Sequence, residues 1–483
     1  MKAQLQGDSM TIYEIFEGRL YPVELKKQNE YELTDTSYLL VEQLTEEYVC
    51  ITNTFRNRSF LIKVEDWRDT GMYPAEFEEY VGYPEEPIKD TNAEEETILL
   101  YKETATFIIV LSYECNLHCK YCYQQCNEYL DKRMISDECL SSILNTIEQF
   151  HHIHPEKLIN IGLFGGEPLL PENYDNIIRI FDFCVENRFS VSVTTNGVNL
   201  PYYLKDLVIY SGLNILVGTT IDSIAKNELT RFSTGYVEDT RSSSLLKSVM
   251  TLINNGVHVT VEVNVDKHNI DEIGTMIDFY KTKGFLDNPY FRLGIGLVDD
   301  RRYETGYTGM VTETELISKI AEHEPLHDHI YCAFVKAPLN LCKKIKPNFR
   351  QSEIKYISNY CWVSAPLDYV FYIDADMDVF RCPFSVGRKE YSLFKFSLTE
   401  LEKYSLPNRT YMDYPCCTKC KIGGYCSGGC TLSADVDFGR MCADEKAEFK
   451  EFLSNIYYPK VKNMIDSLCN TADYRCVKDD CDE

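Results

Sequence analysis

The placement of the cysteines limits what this chain can become more than any other feature. There are 20 in 483 residues, and they are clumped. Two short groups stand out, Cys115-Asn116-Leu117-His118-Cys119-Lys120-Tyr121-Cys122 and Cys417-x2-Cys420-x5-Cys426-x3-Cys430, the second accompanied by Cys361, Cys382 and Cys442. What such groups mean depends on the redox surroundings. The sequence opens Met1-Lys2-Ala3-Gln4 and runs into polar, acidic residues with no apolar stretch of the signal-peptide kind. No apolar run is long enough to span a bilayer. The expected location is therefore the cytoplasm, where thiols stay reduced. Clumped free thiols then read as metal ligands rather than disulfides.

Charge narrows the partners. The formal net charge is -26, from 75 acidic and 49 basic side chains. Such a surface repels phosphate backbones and anionic lipids, so neither nucleic acid nor a membrane is expected, whereas a polypeptide remains compatible. Residues 1–100 read as a small α+β N-terminal domain, with strands at Thr11–Phe16 and Ser59–Val64, a short helix at Ala75–Tyr80 and an acidic linker at Pro84–Glu96. Residues 101–310 alternate strand and helix. The strands are expected at Phe107–Ser112, Ile159–Phe164, Ser190–Thr195, Ile215–Ile221, Val257–Val265 and Tyr290–Leu297. Helices are expected at Ser136–His151, Asn173–Asn187, Pro201–Tyr210, Ser242–Asn255 and Asp271–Lys283. This pattern predicts an α/β fold, a partial (β/α)6 TIM-type barrel whose active site lies at the C-terminal ends of the strands. After about residue 310 the alternation fades. A bridging region at 311–360 leads to a cysteine-rich domain at 361–450 and a C-terminal helix and cysteine-bearing tail at 451–483.

Three thiolates spaced C-x3-C-x2-C after the first barrel strand can wrap one iron–sulfur cube and leave its fourth iron open to a small chelating molecule. A tetrahedral zinc site is the rival, with His118 or Cys126 as fourth ligand. The strands that follow end in Gly165-Gly166-Glu167-Pro168, in Thr194-Thr195-Asn196-Gly197 and in Thr219-Thr220-Ile221-Asp222, with Arg231 further on. Two glycines permit close backbone approach, and Glu167 can accept hydrogen bonds from an ammonium. From Thr106 to Asp300 the sequence resembles the radical S-adenosylmethionine (SAM) superfamily. The resemblance implies that Cys115, Cys119 and Cys122 hold a SAM-binding [4Fe-4S] cluster and that Tyr121 lies beside the adenine. Gly165, Gly166, Glu167, Asn196, Asp222 and Asn264 would line the SAM site, Thr220 standing near the ribose and Arg231 near the carboxylate. Thr220 and Ser223 replace the serine and glycine usual at their positions. Taken without the resemblance, Arg231 reads equally as a solvated helix cation and Asn264 as an internal hydrogen-bonding residue.

The later cysteines resemble the SPASM extension, found in radical SAM enzymes that act on peptides and proteins. Met377 stands where that family has a glycine. The resemblance implies two auxiliary clusters, of the [4Fe-4S] type, and so three iron–sulfur clusters in all. One is held by Cys417, Cys420, Cys426 and Cys442. The other is held by Cys361, Cys382 and Cys430, completed by Cys342 or Cys332 or left open to a substrate thiolate. Cys416 adjoins the pattern without belonging to it, and Cys469, Cys476 and Cys481 have no assignment. Cys50, Cys139 and Cys184 sit in apolar sequence and are expected in the core.

The implied chemistry is reductive cleavage of SAM to a 5′-deoxyadenosyl radical that takes hydrogen from an unactivated carbon. The expected function is maturation of a ribosomally made precursor peptide by a thioether from a cysteine sulfur to a carbon. A flavodoxin- or ferredoxin-type donor would supply electrons, and the N-terminal domain would bind the leader segment. A carbon–carbon crosslink needs the same motifs. Formylglycine formation in sulfatases ranks below both, because Pro383 follows Cys382 where those enzymes carry an aspartate. A non-catalytic iron–sulfur carrier or zinc adaptor would have no use for the SAM motifs.

Overall fold

Alternating apolar residues build the N-terminal strands, and a computed structural model shows how they pair; it describes residues 9–16, 18–26, 30–56, 58–68, 72–83, 104–124, 133–224, 238–323, 326–332, 370–404, 415–426 and 428–479. In chain order come β1 (Ser9–Phe16), β2 (Arg19–Lys26), β3 (Glu30–Glu32), β4 (Leu39–Gln43), β5 (Tyr48–Asn53), β6 (Arg58–Lys63), α1 (Val64–Arg68), β7 (Met72–Pro74) and α2 (Glu78–Val81). The expected helix at Ala75–Tyr80 is a tight 3-10 turn at Ala75–Phe77 that runs into α2. Five strands form an antiparallel sheet in the order β2-β1-β6-β5-β4, while β3 pairs with β7. Every residue of β5 is buried, because its two faces enter two cores. Val49 and Ile51 join Ile12, Phe60 and Ile62. Tyr48 and Cys50 join Ile15 and Leu61 in the core that continues into the barrel. The expected linker at Pro84–Glu96 lies outside the described residues.

The six predicted barrel strands are all present and parallel: β8 (Thr104–Ser112), β9 (Leu158–Gly165), β10 (Ser190–Thr195), β11 (Leu216–Thr220), β12 (His258–Val265) and β13 (Phe291–Leu297). Between them run α3 (Asp137–Ile153), α4 (Tyr174–Asn187), α5 (Leu200–Ile209), α6 (Glu238–Asn254) and α7 (Ile273–Thr282). Ser136 caps α3 by accepting from Cys139 N at 3.2 Å. The alternation does not end at β13, as the sequence suggested. A further helix, α8 (Glu313–Ala321), opened by a Thr312–Glu315 capping box, leads to β14 (Ile330–Cys332), which adds parallel to β13. Three residues are too few to show a periodicity, so this strand is invisible in sequence. At the other edge β15 (Val370–Ile373) joins β8 in parallel and β16 (Val379–Phe380) folds back on β15. Among the described residues the sheet thus has nine strands, in the order β14-β13-β12-β11-β10-β9-β8-β15-β16.

Alternation along β12 shows the two faces of this sheet. Val259, Val261, Val263 and Val265 are buried in the core shared with α6 and α7. Thr260, Glu262 and Asn264 stand on the opposite, inner face. After β16 come α9 (Leu398–Lys403), α10 (Gly423–Cys426), α11 (Thr431–Phe452) and α12 (Tyr458–Asp479). α11 breaks at Asp437, whose carboxylate accepts from Arg440 N at 2.9 Å and so caps the restarted segment. The N-terminal sheet packs on this cysteine-bearing region. Thr54 Oγ1 donates to Lys421 O at 2.9 Å, and the buried hydroxyls of Ser59 and Tyr457 bond to each other. No helix among the described residues is long and apolar enough to cross a membrane.

Candidate active site

Two glycines position the first cysteine loop. At Gly165 φ is +148°, which L side chains rarely adopt, and a Cβ there would stand 2.1 Å from Ser112 O. At Gly166 a Cβ would stand 2.2 Å from Glu114 O. With both side chains absent, Gly166 N donates to Ser112 O at 2.9 Å and Glu167 N to Glu114 O at 2.8 Å. The close approach these glycines permit is therefore to the opening residues of the cysteine loop. β8 and β9 are neighbours, so the loop leaving one crosses the end of the other.

Glu167 is fully buried and holds the next turn in place. Its carboxylate accepts from Leu169 N at 2.8 Å, Thr195 Oγ1 at 2.6 Å and Asn196 N at 2.6 Å. The side chain expected to meet an ammonium is thus bonded to protein donors, because the turns after β9 and β10 leave their N–H groups pointing at it. Asn196 is delivered to the cysteine loop. Its Nδ2 lies 2.7 Å from Asn116 Oδ1 and 3.7 Å from Cys115 Sγ. Gly197, at φ +78°, closes this turn where a Cβ would meet Thr219 Oγ1 at 2.6 Å.

A second network fixes Tyr121. Its hydroxyl donates to the buried Asp222 carboxylate, and Asn264 Nδ2 lies 3.5 Å from the same phenol oxygen. Asp222 Oδ1 accepts from Asn264 N at 3.0 Å, and Asn269 Nδ2 clasps both backbones, donating to Asp222 O at 2.7 Å and Asn264 O at 3.0 Å. Cys115, Tyr121, Glu167, Asn196, Asp222 and Asn264 therefore share the C-terminal ends of β8 to β12. Thr220 closes β11, half-buried. Arg231 lies outside the described residues. Asn116 and Asn269 went unrecognised in the sequence, although Asp266-Lys267-His268-Asn269 directly after β12 carries an Asx-turn signature. Tyr307, whose hydroxyl donates to Asp266 Oδ2 at 2.5 Å and whose ring meets Tyr121 edge-on at 6.2 Å, has no local signal.

The donor set suits a cluster better than a single ion. Cys115, Cys119 and Cys122 are half-buried in one loop, and His118 is exposed. Burial pushes the Cys115 thiol up to about 12, with the charges of Glu167, Cys119 and Cys122 adding to the rise, so a bound cation would be needed to hold the thiolates. Three thiols with no fourth cysteine in the loop's described part suit a cube of four irons with one iron left open, whereas structural zinc takes four protein ligands.

The later cysteines divide. Cys382 caps a turn after β16, and Tyr123 of the first cysteine loop stacks on Phe384 with ring centroids 4.2 Å apart. Cys430 is buried at the start of α11, where its sulfur accepts from Ser433 N at 3.5 Å. Burial, then the adjacent Cys416, pushes the Cys417 thiol up to about 12, and Cys420 and Cys442 act in the same direction. The Lys446 ammonium lies beside Cys420 and Cys442, whose charges raise its pKa. Cys426, half-buried, ends α10. Cys342 and Cys361 fall outside the described residues, as do Cys126 and Cys481. Cys332 is buried in the hydrophobic core on β14. Cys50 and Cys184 are buried as expected. Cys139 is only half-buried, its thiol 3.5 Å from Ala375 O.

Comparison with known proteins agrees with this geometry. The model of the radical SAM superfamily matches residues 109–280. An S-adenosylmethionine-dependent nucleotide dehydratase from Fibrobacter sp. (strain UWH6) is 26% identical over 164 residues, 33% of this chain and 47% of that protein. A GTP 3',8-cyclase from Clostridium perfringens (strain SM101 / Type A) is 30% identical over 177 residues, 35% of this chain and 50% of that protein. The chain spans about half the length of these curated relatives. Among solved structures, native anSMEcpe with bound AdoMet aligns at a TM-score of 0.54 and 18% identity, over 74% of this chain and 99% of that one. Streptococcus suis SuiB bound to precursor peptide SuiA aligns at 0.50 and 15% identity, over 84% and 97%. At these identities the likeness is one of fold. Residues 109–280 thus match the radical SAM superfamily, a match that implies SAM and one [4Fe-4S] cluster as cofactors.

Proposed function

We propose that the protein is a peptide maturase, coupling SAM cleavage to formation of a thioether between a cysteine sulfur and a carbon of a ribosomally made precursor. The observation that carries this reading is the junction between Tyr123 and Phe384, which ties the first cysteine loop to the segment bearing Cys382. A second redox site beside the first is what an oxidative crosslink needs, because forming the new bond releases one electron beyond the hydrogen atom removed. Solved chains of this fold described as bound to peptides, SuiB with SuiA and anSMEcpe with the Cp18Cys peptide, support a peptide as substrate.

In this reading Cys115, Cys119 and Cys122 hold the SAM-binding cluster, and residues 361–450 form a SPASM domain. Cys417, Cys420, Cys426 and Cys442 hold one auxiliary cluster; Cys361, Cys382 and Cys430 hold the other. When bound, cluster and SAM together supply the radical that removes hydrogen from carbon. The chain's own residues position it. Asn196 and Asn116 frame Cys115, Asp222 and Asn264 orient Tyr121, and Glu167 fixes the turn from which Asn196 reaches the loop. Residues 1–100 would hold the precursor's leader, and a flavodoxin- or ferredoxin-type protein would supply electrons.

The test is mass spectrometry of a precursor peptide encoded beside this gene, co-expressed anaerobically with the protein and then alkylated. A thioether appears as loss of two hydrogens with a matching loss of alkylatable cysteine. The same mass loss with every thiol still alkylated refutes the thioether in favour of a carbon–carbon crosslink. An unchanged peptide despite SAM cleavage refutes the choice of substrate.

A further inference from the structure

The turn that joins β5 to β6 projects from the N-terminal sheet onto the second cysteine group. Asn53 shapes it. Its buried side chain accepts from Phe55 N and Arg56 N at 3.2 Å each, and donates to Tyr80 O at 3.1 Å and Gly82 O at 3.0 Å. The next two residues, Thr54 and Phe55, meet Gly423 and Gly424, which stand between Cys420 and Cys426. A Cβ at Gly424 would lie 2.2 Å from Thr54 O, and one at Gly423 would lie 2.7 Å from both the Phe55 ring and Cys417 O. A side chain at either position would push the turn away. Thr54 Oγ1 closes the junction through its bond to Lys421 O, and Lys419 Nζ, 2.7 Å from Asp35 Oδ2, ties the N-terminal domain to the same segment a second time.

Phe55 is buried and held in place. Its ring centroid lies 5.2 Å from that of Tyr83 and, edge-on, 6.4 Å from that of Tyr38. It belongs to the N-terminal core, and Cys417 packs against that same core. On the other side, Cys442 and Lys446 stand four residues apart on α11 and so share a face, with the ammonium beside Cys420 as well. Several thiols with one cation beside them suit an anionic iron–sulfur cluster, whose potential and lifetime depend on what keeps water away from it. The cysteine segment cannot supply that cover alone. Ile422 and Tyr425 are its only large apolar side chains between Cys417 and Cys430, and both are buried in the core that continues into the barrel.

We propose that the Thr54–Phe55 turn of the N-terminal domain completes the site of the cluster assigned to Cys417, Cys420, Cys426 and Cys442, with Phe55 as the side chain that keeps water and oxygen from it. The proposal rests on the auxiliary-cluster reading above and adds a residue from outside the cysteine-rich region. The N-terminal sheet is then part of the redox centre, and Asn53, Gly423 and Gly424 are the residues that let its turn reach the cysteines.

The test uses the full-length protein with Cys115, Cys119 and Cys122 replaced by alanine and reconstituted anaerobically with iron and sulfide, so that the iron it holds is auxiliary. Two quantities are read, the rate of iron release to a chelator in air and the midpoint potential by EPR-monitored titration. Adding Cys417→Ala to this parent identifies the phase of iron loss and the signal that belong to the site. Phe55→Ala should speed that phase about tenfold. It should also raise the potential, because water stabilises the more negative, reduced cluster. Phe55→Met keeps an apolar cover and should stay near the parent. Phe55→Val is a smaller truncation that should move both readouts the same way, and it carries the test if the alanine variant does not fold. Phe77→Ala empties the same core at a ring that meets Phe60 and Tyr73 instead. It should lower the melting temperature without moving either readout. If truncating Phe55 leaves the rate or the potential unchanged, or if Phe77→Ala shifts both equally, the shield is overturned and the cluster reading stands. A parent that holds no iron, or that loses none with Cys417→Ala, overturns the cluster reading and the shield with it.

Discussion

Replacing Gly166 with alanine should disable the protein without touching a cysteine. The added Cβ would stand 2.2 Å from Glu114 O and 2.5 Å from Tyr113 O, against ordinary contact from 3.4 Å. Both obstacles are backbone atoms, so no rotamer relieves the clash, and the loop entering Cys115 must move by about 1 Å. That movement strains the bonds from Gly166 N to Ser112 O and from Glu167 N to Glu114 O. Losing two backbone bonds at about 0.5–1.5 kcal/mol each, with some polar atoms left buried and unpaired, destabilises the region by about 2–4 kcal/mol. A 1 Å displacement of a catalytic loop also costs about 100-fold in rate. Gly212→Ala is the control, since a Cβ there meets nothing within 4 Å; its effect should stay within about 0.5 kcal/mol. Thermal melting, iron content after anaerobic reconstitution and release of 5′-deoxyadenosine from SAM report the three consequences. If Gly166→Ala matches Gly212→Ala in all three, the loop is not held by this close approach and the account of the GGEP turn is wrong.

Other perturbations separate the remaining parts of the site. Glu167→Ala orphans Leu169 N, Thr195 Oγ1 and Asn196 N and should lower stability by about 3 kcal/mol or more, read by melting; Glu167→Gln should cost less than half of that. Asp222→Asn frees Tyr121 and should weaken SAM binding about tenfold by equilibrium dialysis, with Tyr121→Phe moving the same way. Replacing Cys115, Cys119 and Cys122 together with alanine should abolish SAM cleavage while iron persists; complete loss of iron would indicate one shared structural site. Tyr457→Phe removes the buried bond to Ser59 that joins the N-terminal sheet to the C-terminal helices and should cost about 1 kcal/mol in melting experiments. The Glu262 carboxyl titrates above its usual range because it is buried. The native state therefore keeps a proton that the unfolded chain has already lost, and stability falls as pH rises from the usual carboxylate pKa through the raised one. Glu262→Gln should gain stability over wild type at neutral pH, and that gain should vanish in acid.

Much of this could be read from residue order. A cysteine loop spaced C-x3-C-x2-C behind an apolar strand, with GGEP, TNG and Asp222 behind the next three, is a local pattern, and parallel strands in sequential order must bring such loops to one end of the sheet. Tyr121, Asn196, Asp222 and Asn264 meet there for that reason. β14 was hidden because three residues carry no period. Tyr307, far along the chain from the loop whose Tyr121 it touches, carried no signal at all.

What the sequence determined by itself is the chemistry: which residue types stand at which strand ends, and hence an iron–sulfur and SAM site on an α/β barrel. Tertiary structure alone decided how those residues are used. Glu167 turns inward because the N–H groups of two neighbouring turns aim at it, and Gly165 and Gly166 make room for the backbone of Ser112 and Glu114. Glu262 reaches Tyr331 only because parallel register lays a glycine between them. Each depends on which strand lies beside which and at what offset. Strand order and offset are set by the packing of the whole sheet, and no short stretch of sequence carries that information.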